Sequence, residues 1–356
     1  MKQLLLSALA IAVTITFTAC KKEEKKTFVL PHILEAKMVS FFNANAPRYE
    51  SFTIDASTGG TLTTTKGTKI NFPAGIFKKA NGQIVSGNVT VEVKDILSAS
   101  DMLLGNRPTE ANGQMLVSYG EMTVKASQNG EALQLKNDSA RVQVPLAPKP
   151  ANGQQIREIP MWSGDSAVAY TINGHDHENT SVTLTQTGYV PRGINWNQNG
   201  NIATNNNNGT TSFALDSLGV WRNCDALMGD PRPKTTVLGY FSNYWNPATS
   251  SSYMGAEPSM LFFKVKQQNS MVKLYNKIIN APVGKEGLLS YQSSFPIGLE
   301  GTFLAISIKD GKFYAQMQDV TIGAPASGKT YFPVTFALSE VTESGLLALI
   351  QQLNTK

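Results

Sequence analysis

Eight residues, Gly323-Ala324-Pro325-Ala326-Ser327-Gly328-Lys329-Thr330, have the composition and spacing of a loop that cradles phosphate. In such a loop main-chain N–H groups and a lysine surround the phosphate oxygens, and a helix must follow so that its N-terminus completes the site. Here Tyr331-Phe332-Pro333-Val334-Thr335-Phe336 follows, a strand-like alternation with proline where a helix would propagate. The eight residues are therefore expected to join two strands, and no nucleotide partner is expected despite the Gly323 to Thr330 pattern.

Gly174-His175-Asp176-His177-Glu178-Asn179 sets two imidazoles two residues apart, which on a strand would point them to one face. A transition-metal site needs further ligands, and the only other histidine is His32. Glycine, aspartate and asparagine suit a polar hairpin turn, so no metal and no cofactor are predicted. Tyr240-Phe241-Ser242-Asn243-Tyr244-Trp245-Asn246-Pro247, with Tyr253 soon after, gathers aromatic faces and amides of the kind that bind a sugar or a peptide. Tyr240, Asn243, Tyr244, Trp245 and Tyr253 are the candidate ligand-binding residues. No serine-nucleophile elbow, zinc-protease motif or dinucleotide fingerprint occurs, and no catalytic residue is assigned.

These residues need elements to position them, and the first thirty residues say where those elements reside. Lys2, an apolar run from Leu4 to Phe17 and Phe17-Thr18-Ala19-Cys20 give the order of a secretory signal. The run is shorter than the roughly 20 residues a membrane-spanning helix needs. Ala19-Cys20 resembles the lipobox of bacterial lipoproteins, which implies cleavage before Cys20 and its acylation, palmitate included. Several acyl chains hold a soluble domain on a membrane durably. Lys21-Lys22-Glu23-Glu24-Lys25-Lys26 reads as a solvated tether. It resembles the signal that sends lipoproteins of the Bacteroidota to the outer face of the outer membrane.

Removing residues 1–19 takes away Lys2, so the formal +5 becomes +4 in the mature part. That mild, dispersed excess is not the basicity of a nucleic-acid binder. With Cys20 acylated, Cys224 has no disulfide partner and is expected to be a buried small residue.

Between Ser51 and Pro145 short alternating runs at Phe52 to Ile54, Gly60 to Thr64, Thr68 to Phe72, Asn88 to Lys94, Leu116 to Lys125 and Ala140 to Val144 predict strands. Asn81-Gly82, Asn112-Gly113 and Asn129-Gly130 mark the turns. Val89, Val91 and Val93 share one predicted face. Gly59-Gly60-Thr61-Leu62 and Gly67-Thr68-Lys69-Ile70-Asn71-Phe72-Pro73-Ala74-Gly75 resemble the glycine pair, strand and proline-glycine corner of ZU5-type β-sandwich domains. That resemblance implies protein interaction. Self-cleavage, known for some ZU5 domains at a His-Phe-Ser site, does not carry over, because this region has no histidine. The stretch Asp101 to Gly105, and farther on Gly219 to Asp225 with Pro231 to Lys234, resembles uncharacterised lipoproteins of the same bacterial group.

Strand character continues through Met161-Trp162 and Val182 to Leu184, until Gly193 to Gly209 offers little but asparagine and reads as a linker. Beyond it Phe213 to Leu215, Thr236 to Tyr240, Met260 to Val265, Phe303 to Ile308 and Lys312 to Gln316 predict strands. Lys309-Asp310-Gly311-Lys312 predicts a hairpin, and Leu346, Leu349, Ile350 and Leu353 line one face of a helix after Thr342.

The expected chain is thus all-β and mainly antiparallel, with two β-sandwich-like domains and a short C-terminal helix. Its expected parts are a signal peptide 1–19, tether 20–48, ZU5-like domain with extension 49–190, Asn-rich linker 191–211 and C-terminal domain 212–356. The expected function is a surface-exposed outer-membrane lipoprotein, held by its N-terminal lipid anchor, acting as a non-catalytic binding or structural module for a protein or glycan ligand. The rival is a hydrolase or glycan-processing accessory, which needs a pocket holding two carboxylates.

Overall fold

The structure is a computed structural model that describes residues 36–111, 113–137, 139–146, 156–165, 169–175, 183–189, 194–206, 208–242, 259–274, 276–277 and 287–356. It is an all-β chain in which the described residues include three α-helices at the junction of two lobes. The first lobe contains α1 (Ala36–Asn45), β1 (Glu50–Asp55), β2 (Gly60–Thr63), β3 (Lys69–Phe72), β4 (Asn88–Ile96), α2 (Ala99–Leu104), β5 (Gln114–Gln128), β6 (Ala140–Val144), β7 (Glu158–Asp165), β8 (Asn195–Asn205), β9 (Thr211–Leu215) and β10 (Trp221–Leu227). The second contains β11 (Lys234–Phe241), β12 (Ser259–Val265), β13 (Gly287–Leu289), β14 (Glu300–Lys309), β15 (Lys312–Thr321), β16 (Tyr331–Phe336) and α3 (Glu343–Gln352).

Strands of the first lobe hydrogen-bond in the order β1-β4-β5-β10-β7-β8-β9-β6-β3-β2. The sheet curls until the inward side chains of all of them meet in one core: Ile54, Leu62, Phe72, Val124, Val142, Met161, Ala203, Phe213 and Cys224 belong to it. The predicted alternation is visible in β4, where Val89, Val91 and Val93 are buried and Thr90 is exposed. At the corner that carries the ZU5 resemblance, a Cβ on Gly59 (φ +71°) would lie 2.3 Å from the Phe72 carbonyl oxygen, so only glycine lets the two segments abut.

Two predicted boundaries are corrected. The described residues of the expected linker 191–211 are not a linker, because β8 pairs along its length with β7 and at its end with β9. Main-chain hydrogen bonds supply what composition lacks: Ala203 is buried in the first-lobe core and Trp196 in a separate cluster with Leu116, Trp162 and Ile194, while Asn197 and Asn201 remain in solvent. The asparagines beyond β8 build its turn, with the Asn206 and Asn208 side chains bonded to Thr210. Consequently β9 and β10, expected at the start of a C-terminal domain 212–356, complete the first lobe. The tether, expected over 20–48, ends sooner, since Met38, Phe41 and Phe42 bury one face of α1 at helical spacing.

In the second lobe β12, β14 and β15 lie in one sheet, while β11, β13 and β16 lie in the other, with β11 and β16 parallel. Phenylalanines fill the space between them; Phe263 and Phe303 ring centroids are 4.6 Å apart, and Phe303 and Phe336 are 5.6 Å apart. Lys309 to Lys312 forms the predicted hairpin, with Asp310 and Gly311 at φ +51° and +70°. Thr342 caps α3 by accepting from the Gly345 N–H, and Leu346, Ile350 and Leu353 are buried.

The outer face of β12, β14 and β15 carries Met260, Phe262, Leu304, Ile306 and Phe313. These side chains share one core with α1, α2, α3 and Ile96 of the first lobe. The two lobes are therefore joined by an apolar interior, not by a solvated linker.

Candidate functional site

The junction is where polar chemistry concentrates, and a β-bulge puts it there. Between β5 and β10, Glu121 lies opposite Asn223 and Ser118 opposite Asp225, so Tyr119 and Gly120 together face Cys224. The extra residue lets Ser118 and Glu121, three apart, share a face with Asn223 and Asp225. Gly120 sits at φ +119°, and a Cβ there would lie 2.8 Å from Val144 Cγ1. All four polar side chains are completely buried. Asn223 Nδ2 donates to Asp225 Oδ2 at 2.6 Å, and Trp162 Nε1 donates to the Asp225 carbonyl at 2.8 Å. The Ser118 N–H donates to the carbonyl of Asn269 from the second lobe at 2.8 Å, and Asn269 Nδ2 returns to the Ser118 carbonyl at 3.0 Å.

Among the described residues, neither carboxyl oxygen of Glu121 nor Oδ1 of Asp225 has a hydrogen-bond partner. Burial pushes Asp225 up to about 7, against hydrogen bonds from Ser118 and Asn223. Burial raises Glu121 well above the carboxylate range; the Asp225 charge adds to the rise and Arg107 opposes it. Burial likewise pushes the Cys224 thiol up, in keeping with its expected role as a small buried residue. Both acids are thus shifted toward the protonated form, and both side chains are completely buried.

Open space lies nearby. A groove of about 500 Å³ between the lobes is lined by Leu97, Ser98, Lys264, Asn269, Asn354 and Lys356, among others. Another of about 400 Å³ adjoins it and includes Lys266, Glu300, Thr302, Asp319 and Lys356. A smaller cavity of about 120 Å³ is bordered by Gln114, Met228, Asp230 and Lys234. Lys264 Nζ donates to the main-chain oxygens of Val265 (2.8 Å), Gln268 and Lys356 (3.2 Å), and burial brings it down to about 8. Glu300 pairs with Lys266 at 2.7 Å, and that contact lowers its pKa. Asp319 accepts from the Thr302 hydroxyl at 2.5 Å and pairs with Lys356 at 3.1 Å, both of which hold its carboxyl low. The groove carboxylates are thus ionised and partnered.

Of the residues predicted from sequence, Tyr240 lies on β11, partly buried against Leu238, Leu289 and Tyr331. Asn243, Tyr244, Trp245 and Tyr253 lie outside the described residues, as do Cys20, His32 and His177. His175 ends a strand, Ala169–His175, that pairs antiparallel with Thr183–Tyr189. No group of three or more His, Cys, Asp or Glu side chains fit to hold a metal occurs among the described residues. Gly323 to Thr330 joins β15 to β16 as a loop, closed by the Lys329 N–H on the Ala326 carbonyl, and a strand follows it. The buried acids escaped sequence reading, because strand alternation alone places Glu121 on a solvent face and gives no sign of a second lobe above it. Compared with protein families, curated proteins and solved structures, the chain matches none.

Proposed function

We propose that this chain is an outer-membrane lipoprotein, acylated at Cys20 and displayed on the cell surface, whose fused β-lobes serve as a non-catalytic binding or structural module for a protein or glycan ligand. One observation carries the non-catalytic part: acidity and access belong to different residues. A glycoside hydrolase needs a protonated carboxyl group facing the substrate. In this chain the raised acids, Glu121 and Asp225, are sealed, whereas the groove acids, Glu300 and Asp319, are held ionised by their partners. The groove of about 500 Å³ between the lobes is lined mainly by polar and charged residues and gives a ligand room at the junction. The glycine corner at Gly59 supports a ZU5-like reading of the first lobe and, with it, protein interaction.

Protease shaving of intact cells tests display. The native chain is expected to be cleaved, and a chain with neutral residues in place of Lys21 to Lys26 is expected to be protected. Labelling with palmitate is expected for the native chain and absent for Cys20→Ala. Protection of the native chain, or labelling that survives Cys20→Ala, overturns the corresponding half of the reading.

A further inference from the structure

Beyond the junction, the outer face of β1, β4, β5 and β10 gathers cations around two aromatic rings. Lys94 and Lys125 bring their Nζ atoms to 4.5 and 4.6 Å from the centroid of the Tyr49 ring. Arg107 covers the Trp221 ring at 4.4 Å. Lys94, Thr123 and Trp221 lie in one row across three strands, so the two aromatic stations are neighbours. No ion pair holds Lys94 or Lys125 among the described residues; Glu92 stands opposite Lys125 in the sheet, yet the ammonium turns to the ring. The Lys94 pKa is lowered by burial first and then by the charges of Arg107, Lys125 and Arg48, which shows that four cations crowd one another here. Such crowding is unfavourable alone and is relieved by an anion.

None of the three cavities described above includes these residues. Trp221 packs against two buried clusters, so what faces solvent is Arg48 and Lys125 with half-buried Lys94 and Tyr49; lysines without ion pairs beside a tyrosine ring have the composition that settles on a phosphate headgroup layer. We propose that this face docks the first lobe onto the anionic phosphate headgroups of the membrane that carries the chain. The inference rests on the lipid-anchor reading, under which residues 21–35 reach at most about 50 Å and keep the headgroup layer within range.

The test uses the mature chain with Cys20→Ser, so that no lipid contributes, and sedimentation with phosphatidylglycerol or phosphatidylcholine vesicles. Retention on the phosphatidylglycerol vesicles alone is expected, weakening with salt. Lys125→Gln, an exposed change, is expected to weaken it about fivefold, and Lys94→Gln with Lys125→Gln roughly 25-fold. Unchanged unfolding midpoints will show that both variants fold. Equal retention of native and double variant, or loss only when the tether lysines are neutralised, overturns the proposal. Release by low-millimolar inorganic phosphate would make free phosphate the ligand and also overturns it. Failure of all vesicle binding sinks the docking face alone, since palmitate labelling reads the anchor separately.

Discussion

Two pairs of acids in this chain have nearly the same chemistry and opposite fates. Glu121 and Asp225 are completely buried, with three carboxyl oxygens unbonded among the described residues, and burial raises both. Glu300 and Asp319 lie on strands of the second lobe at a groove, each beside a lysine, and both are lowered. The difference teaches that solvent and partners, not residue type, decide whether a carboxylate is available as an acid. It also separates structural chemistry from surface chemistry in a chain whose lobes share one interior.

The largest expected effect is on pH dependence. The Asp225 carboxyl moves from an ordinary 3.8 to about 7 in the fold. Between these values the unfolded chain has lost the proton and the folded chain keeps it, so stability falls as pH rises and levels off above about 7. The loss is on the order of 4 kcal/mol, and Glu121 adds to it in the same direction. Urea unfolding followed across pH is expected to show this decline, and Asp225→Asn is expected to flatten it and stabilise the chain at pH 8. Stability that instead rises with pH over this range would mean that the junction acids are ionised in the fold, erasing the contrast with the groove.

Gly120→Ala acts on the bulge that brings the buried acids to one face. Its positive φ and the close approach of Val144 predict a destabilisation of about 2 kcal/mol, read in the same unfolding assay. A smaller loss, about 1 kcal/mol, is expected for Trp162→Phe, which leaves the Asp225 carbonyl without its indole donor. Calorimetry that finds Trp162→Phe as damaging as Gly120→Ala would put the weight on the indole packing and not on the bulge. Glu300→Gln is expected to leave the midpoint unchanged in moderate salt, because its ion pair with Lys266 is exposed. A measurable drop there would show that the groove acids contribute to the fold and would narrow the comparison.

Much of the fold is legible in the residues. Alternation at Val89, Val91 and Val93, the Asp310-Gly311 turn and the Thr342 cap depend on neighbours within a few positions, and each appears as expected. The asparagine-rich stretch misled, because composition measures what side chains can bury and not what the main chain gains from a strand on either side. Met38, Phe41 and Phe42 were hidden for a related reason: a short apolar helix next to a charged tether acquires its core from distant elements, α2, β12, β14, β15 and α3, none of which its own residues announce.

The sequence by itself determined the alternation of strands such as β4, the Asp310-Gly311 turn and the Thr342 cap, since all of these are set by local periodicity and short-range chemistry. Only the tertiary structure decided which lobe β8, β9 and β10 belong to, which acids are sealed and which cations converge on Tyr49. Those properties come from the order of strands in the sheet and from what packs above each face, and neither is encoded in the spacing of residues along one strand.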